Sequence, residues 1–163
     1  MIEIRRKEKI VTDEDEKIHP LKKAKYVTIA MCESNEPYLV TLSHGYDGDN
    51  SCIYFHCAKE GKKVDILEKN RVVWGQALLD KGYQQGSCDH LYHTTQFKGE
   101  VTFVEDLKEK ERALKIMIRQ LEEDAENVIE KQLKTDSINR VNIGRIDIDY
   151  ISSKKSEEII ISL

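Results

Sequence analysis

Tyr38-Leu39-Val40-Thr41-Leu42-Ser43-His44-Gly45-Tyr46-Asp47-Gly48-Asp49-Asn50-Ser51-Cys52-Ile53-Tyr54-Phe55-His56-Cys57 is the stretch that decides the fold. Tyr38, Val40, Leu42 and Tyr46 fall on one face and Leu39, Thr41, Ser43 and Gly45 on the other, the period of a half-buried strand. Asp47-Gly48-Asp49-Asn50 is a hairpin signal, because these residues tolerate the positive φ of a tight turn. Cys52 to Cys57 is then the returning strand. Upstream, Lys25 to Met31 alternates with the same period, with Val27, Ile29 and Met31 opposed to Thr28 and Ala30. Glu33 to Pro37 breaks that run. Three strands joined by short turns make an antiparallel meander, since parallel pairing needs long crossovers.

Further along, Lys59-Glu60-Gly61 ends the meander. Lys62 to Lys69 suits a short helix with Val64 and Leu67 inward. Arg71 to Leu79 reads as a mostly apolar strand containing Trp74. Asp80 to Asp89, with Gly82 and Gly86, reads as a loop. Leu91 to Val104 is a long strand with a bulge or bend at Gly99. The period then changes: Leu107, Leu114, Met117, Ile118 and Leu121 recur at helical spacing, and Asp106 with Glu109 forms a start signal. A break near Asp124 precedes a second helical piece carrying Val128, Ile129 and Leu133. Val141 to Ile151 returns to strand, with Ile146, Ile148 and Tyr150 alternating against Arg145, Asp147 and Asp149. Glu157 to Leu163 offers a last short strand. The expected class is α+β, mainly β: a partly open, six-stranded antiparallel barrel with flanking helices, in one domain over residues 1–163.

Composition narrows the function classes. About a third of the 163 residues are charged and the formal net charge is −4, which argues against a general nucleic-acid or lipid-surface binder. The basic cluster Arg5, Arg6, Lys7 and Lys9 is offset by Asp13, Glu14, Asp15 and Glu16, so residues 1–15 read as a charged, partly flexible, solvated segment. No apolar run approaches the ~20 residues of a membrane span, and the charged N-terminus lacks the apolar stretch of a signal peptide. Cys32, Cys52, Cys57 and Cys88 show no secreted disulfide framework and read as reduced thiols. The expected compartment is the cytoplasm.

The block Ile53 to Lys63 carries the most chemistry. A strand delivers His56 and Cys57 to a turn, and Lys62 and Lys63 open a helix behind Gly61. Free N–H groups at a helix start, its dipole and two ammonium groups together suit a phosphate. The alternative is that both lysines simply solvate an exposed first turn. The same lysines make Cys57 the candidate for a thiol of lowered pKa. A second constellation, Cys88, His90 and His93, offers thiolate and imidazole for zinc or iron, although C-x-H-x-x-H is not a standard zinc spacing. Asp147 and Asp149 read as a solvated strand edge rather than an acid pair.

Tyr38-Leu39-Val40-Thr41-Leu42-Ser43, the hairpin, Tyr54-Phe55-His56, Gly61-Lys62-Lys63 and Cys88…Tyr92-His93-Thr94-Thr95…Gly99 together resemble the FMN-binding split barrel of the pyridoxamine 5′-phosphate oxidase-like superfamily. The resemblance is to the nitroimidazole-resistance (Nim-type) branch and covers about Tyr26 to Val104. It implies that Lys62 and Lys63 grip the FMN phosphate with Cys57 beside it. Thr41, Leu42 and Ser43 would line the flavin ring, and His56 would lie near its edge or ribityl chain. Thr94 would reach the cofactor across a homodimer interface. The implied activity is passage of a hydride from NAD(P)H through FMN to a small acceptor such as a nitroaromatic or quinone, with His56 or Tyr92 able to donate a proton. Lys62 stands where the family has arginine, losing the bidentate fork but keeping the charge. His93-Thr94-Thr95 replaces the usual R-S-V, and the C-terminus lacks the tryptophan and arginine elements of vitamin B6 oxidation. Because some relatives carry haem on histidine, a non-catalytic haem- or flavin-binding module for sensing, storage or transfer is the competing expectation.

Overall fold

In the computed structural model, which describes residues 6–157, the meander consists of β1 (Tyr26–Glu33), β2 (Glu36–Asp47) and β3 (Cys52–Cys57). Three longer strands follow: β4 (Val72–Gln84), β5 (Asp89–Val104) and β6 (Asn142–Ser156). The described helices are α1 (Glu14–Lys23), α2 (Lys62–Lys69), α3 (Leu107–Leu121), α4 (Ala125–Gln132) and α5 (Thr135–Arg140). All strand pairs are antiparallel, and the order β1-β2-β3-β6-β5-β4 closes on itself. The expected six-stranded antiparallel split β-barrel with flanking helices is present; it is closed rather than partly open, joined where β1 meets β4 from Val27 opposite Ala77 to Ala30 opposite Trp74.

The period of two puts Val27, Ile29 and Met31 inside, together with Ile53, Phe55, Val73, Phe97 and Ile146. Burying such a side chain contributes roughly 1.5–3 kcal/mol. Leu21 and Ala24 from α1 and Ile66 and Leu67 from α2 join the same core. Two glycines make room for the largest core residues. A Cβ at Gly75 would overlap the ring of Phe97, and one at Gly144 would overlap the ring of Phe55. α3 starts at Asp106, whose side chain accepts from the Glu109 N–H at 2.9 Å, and it packs on the outside of β2 and β3. Met117 and Ala113 there cover Tyr54 and Cys52 in a second apolar cluster. A Cβ on Gly45 would come within 2.8 Å of the Met117 backbone.

The structure departs from the sequence reading in five places. The described part of the N-terminal segment is anchored: Val11 is buried, its N–H donates to the Ser153 carbonyl at 3.1 Å, and α1 follows. Lys9 is buried as well, donating to Ser156 Oγ at 3.0 Å; Arg5 lies outside the described residues. The expected loop over Asp80–Asp89 is mostly a continuation of the β4–β5 hairpin, with a register shift between Asp80 and Tyr83. Gly82 stands there at φ +93°. On β6 the pairing slips between Tyr150 opposite Lys98 and Ile148 opposite Gly99. That bulge turns Tyr150 to the outer face, where it meets Trp74 edge-on at 5.7 Å, and puts Ile151 against the core instead. β6 itself runs on to Ser156, and the short helix α5 had no clear signal. The strand expected over Glu157–Leu163 lies outside the described residues except for Glu157.

Candidate functional site

The residues that β1, β2, β4, β5 and β6 turn away from the core form one outer face. Register ties them into rows across the strands. Thr41 lies opposite Thr28, Thr28 opposite Gln76, and Gln76 opposite Gln96. The Thr28 and Thr41 hydroxyls share a hydrogen bond of 3.0 Å. The face is partly apolar, with Leu39 64% and Tyr26 58% exposed. A cavity of about 210 Å³ lies among Thr28, Ala30, Leu39 and Trp74, and one of about 320 Å³ among Leu78, Tyr92, Thr94, Ser152 and Lys154. Gln76 and Gln96 line both, so the two form one groove. Roomier hollows occur elsewhere, such as the 520 Å³ between Asp47–Asp49 and α3, but Arg112, Lys115 and Arg119 there are held by Asp47, Glu111 and Glu126.

α2 follows β3 and packs Ile66 and Leu67 into the barrel core. Gly61 precedes it at φ +129°, a region that disfavours any residue with a Cβ. The helix has no side-chain cap. Val64 and Asp65 donate to the Gly61 carbonyl at 2.8 and 3.1 Å, so the N–H groups of Lys62 and Lys63 precede the first helical bond. Nothing lies within 4 Å of the place a Gly61 Cβ would take. Lys62 Nζ stands 4.7 Å over the Tyr38 ring and Lys63 Nζ 5.7 Å over the Phe55 ring. Tyr38 directly precedes Leu39, a wall of the smaller cavity.

The expected site residues divide between two faces. Thr41 and Ser43 are exposed on the outer face of β2, and Leu42 points inward. The pairing of His44 with Phe55 puts Ser43 next to exposed His56 outside, and Leu42 next to Cys57 inside. Cys57 is thus turned away from His56. Its thiol is not activated: burial pushes its pKa up, and the opposing pull of Lys63 and of the Asn142 amide at 3.7 Å is weaker. Thr94 is on the outer face of β5 and donates to the Ala77 carbonyl at 3.0 Å. With β1 and β4 between them, Thr94 and Thr41 are separated by three strand spacings, roughly 14 Å.

The second constellation does not converge. His93 faces inward, shares a 3.1 Å hydrogen bond with Ser153 Oγ and stacks on His19 at 5.8 Å. His90 is exposed and bonds Asp80 at 2.9 Å, while Cys88 sits in the turn at φ 52°. Among the described residues no group of three His, Cys, Asp or Glu side chains is placed to hold a metal. No described helix is long and apolar enough to cross a membrane. Sequence reasoning missed Gln76, Gln96, Ser152 and Lys154. The signal was present in β4, where Trp74, Gln76 and Leu78 alternate with Val73, Gly75 and Ala77.

Comparison with known proteins follows this geometry. A family model described as pyridoxamine 5′-phosphate oxidase matches residues 13–155. No curated protein matches the sequence. Among solved structures, a protein proposed to act in 5-nitroimidazole antibiotic resistance, from Bacteroides thetaiotaomicron, is similar with a TM-score of 0.76 and 24% identity, over 89% of this chain and 85% of that one. A flavocytochrome from Azotobacter vinelandii has a TM-score of 0.78 at 14% identity, over 96% and 73% of the two chains. An FAD- and haem-binding protein from Mycobacterium smegmatis has a TM-score of 0.75 at 14% identity, over 92% and 74%. At these identities the likeness is one of fold.

Proposed function

Because the chain belongs to the pyridoxamine 5′-phosphate oxidase family, which residues 13–155 match, we propose that it is an FMN-binding oxidoreductase that passes a hydride from a reduced nicotinamide to a small acceptor such as a nitroaromatic or quinone. The observation that carries this reading is the uncapped start of α2, where Gly61 leaves open space in front of Lys62 and Lys63. A dianionic phosphate monoester would suit this turn, which offers two N–H groups ahead of the first helical bond, the positive helix end and two lysines whose flexible ammonium groups could swing to it. The 5-nitroimidazole-resistance relative supports a nitroaromatic acceptor, and the flavocytochrome and the FAD- and haem-binding relative support a flavin on this fold.

In this reading Lys62 and Lys63 hold the phosphate. Thr41 and Ser43 offer hydroxyls along the outer face, and the Leu42 backbone joins them. His56, exposed beside Ser43, is placed to hold or donate a proton at its imidazole. Cys57 contributes bulk behind the phosphate from the inner side. Bound FMN supplies the hydride chemistry, and the chain supplies orientation and charge. Thr94 lies too far round the barrel to share a flavin with Thr41 of its own chain, so a second copy docked on the exposed face of Tyr26, Leu39 and Leu78 would bring its Thr94 to the site. The product is a homodimer with the site at the subunit interface. Because His44, His90 and His93 are each engaged by protein groups, a haem in the competing reading would fall to exposed His56.

Titration of the purified full chain with FMN, read by flavin fluorescence, tests the reading. FMN is expected to bind more tightly than riboflavin. Changing Lys62 and Lys63 together to Gln should weaken FMN on the order of a hundredfold, from the loss of two charge-assisted contacts, and leave riboflavin nearly unchanged. A chain that ignores FMN, or a double variant that binds it as well as the wild type does, overturns the reading.

A further inference from the structure

The larger cavity of the groove has a composition that the phosphate site does not explain. Its floor is two rows set by register. Gln76, Gln96 and Ser152 lie side by side on β4, β5 and β6, and Leu78, Thr94 and Lys154 form the next row. Tyr92 closes the end. Among the described residues no carboxylate lines it, and the one charged group is the half-buried Lys154. Neighbouring lysines are neutralised: Lys155 by Glu16, Lys98 by Asp149 and Lys9 by Asp89. Lys154 has no carboxylate partner among the described residues. Its backbone is fixed on both sides, by β5 at Thr94 and by a bridge to Ile10 of the anchored N-terminal segment.

A half-buried ammonium without a counter-charge, walled by amides and hydroxyls, is electrostatically incomplete. We infer that this cavity binds a small organic carboxylate, with Lys154 as the ion-pair partner. Gln76, Gln96, Thr94 and Ser152 serve as hydrogen-bond partners for the polar remainder, and Leu78 provides an apolar wall. About 320 Å³ admits a single aromatic ring with its substituents and excludes a dinucleotide. The role of this pocket rests on the flavoprotein reading, in which Leu78 and Thr94 lie at the subunit interface and the pocket sits beside the partner's flavin: it would select carboxylate-bearing electron acceptors over neutral ones. The anion site itself stands on the cavity and on Lys154.

The probes are 4-nitrobenzoate and its uncharged counterpart 4-nitrobenzamide, titrated calorimetrically into the full-length protein with and without added FMN. The wild type is expected to bind the carboxylate at least tenfold more tightly than the amide. Lys154→Gln should abolish that preference, Lys154→Arg should keep it, and Lys62→Gln with Lys63→Gln should leave it intact. Equal binding of the two probes, no binding of 4-nitrobenzoate, or a preference that survives Lys154→Gln in a variant with unchanged thermal unfolding overturns the inference. Carboxylate preference in a protein that never takes up FMN would keep the pocket and remove only its redox role.

Discussion

His44 donates through Nε2 to the carbonyl of Leu21 at 2.8 Å, tying β2 to α1 inside the barrel end. A carbonyl only accepts, so the proton sits on Nε2, and Nδ1 is left buried without a partner. Gln120 reinforces the joint: its oxygen accepts from the Tyr46 N–H at 2.9 Å, and its amide donates to the Leu21 carbonyl at 3.0 Å.

Protonation of Nδ1 would put an uncompensated charge in the interior, and burial accordingly holds the His44 pKa below its ordinary value. The unfolded chain therefore takes up the proton first as pH falls. The stabilisation is complete above the ordinary histidine value of about 6.5 and is lost as pH drops through the folded value. His93, also lowered chiefly by burial, acts in the same direction. Urea midpoints are expected to be lower at pH 5 than at pH 7.5. His44→Gln, which keeps a donor for Leu21, should reduce that difference.

Gly144→Ala is expected to destabilise the protein by about 1–3 kcal/mol, the usual cost of overpacking, since the new methyl overlaps the Phe55 ring. Phe55→Leu added to Gly144→Ala should recover part of the loss. Thermal unfolding of both variants measures it.

Asp47 is buried at the end of β2 with Arg112 across it at 2.8 Å and Asn50 donating at 2.8 Å. Burial pushes its pKa up, but the Asn50 amide and the Arg112 guanidinium outweigh it and hold the carboxyl below its usual range. Arg112→Ala leaves that carboxylate with the turn alone and should cost about 1–3 kcal/mol. Asp47→Asn combined with Arg112→Ala should cost less than the sum of the two single changes, as a double-mutant cycle would report.

Cys88 is exposed, whereas Cys57 is half-buried with its thiol pKa raised by burial. Iodoacetamide at neutral pH is expected to alkylate Cys88 well before Cys57, as peptide mass mapping over time would show. Faster reaction at Cys57 would restore the activated thiol that its two lysine neighbours suggested.

Much of the fold was legible because its period was clean. Val27, Ile29 and Met31 alternate without interruption, and α2 and α3 announce themselves through Gly61 and through Asp106 with Glu109. What stayed hidden arose from long-range constraint. α1 carries Pro20 and few apolar residues, and its place is set by Leu21 meeting the barrel core. Asp80–Gln84 looks like a loop because Gly82 absorbs a register shift that only the partner strand reveals. One extra residue at Asp149 inverts the facing of Tyr150. In the candidate site, the α2 lysines were readable from local pattern, and Thr41 and Ser43 only through the family resemblance. Lys154 was not, because its meaning comes from the absence of a carboxylate around it among the described residues, a property of β4 and β5 as much as of its own strand.

The ring is not equally fastened all round. β1 meets β4 only from Val27 to Ala30. β2 meets β3 over a similarly short span, but that join is held by the Asp47–Cys52 turn and covered by α3. The β1–β4 join has no connecting turn, and Thr28 and Gln76 on it form the floor of the groove. The barrel is expected to open first along this short join, which runs beneath the groove, and a ligand in the groove would act as a clasp. Anything that bridges Thr28 to Gln76 is expected to stiffen the whole cylinder, so that binding and fold stability rise and fall together.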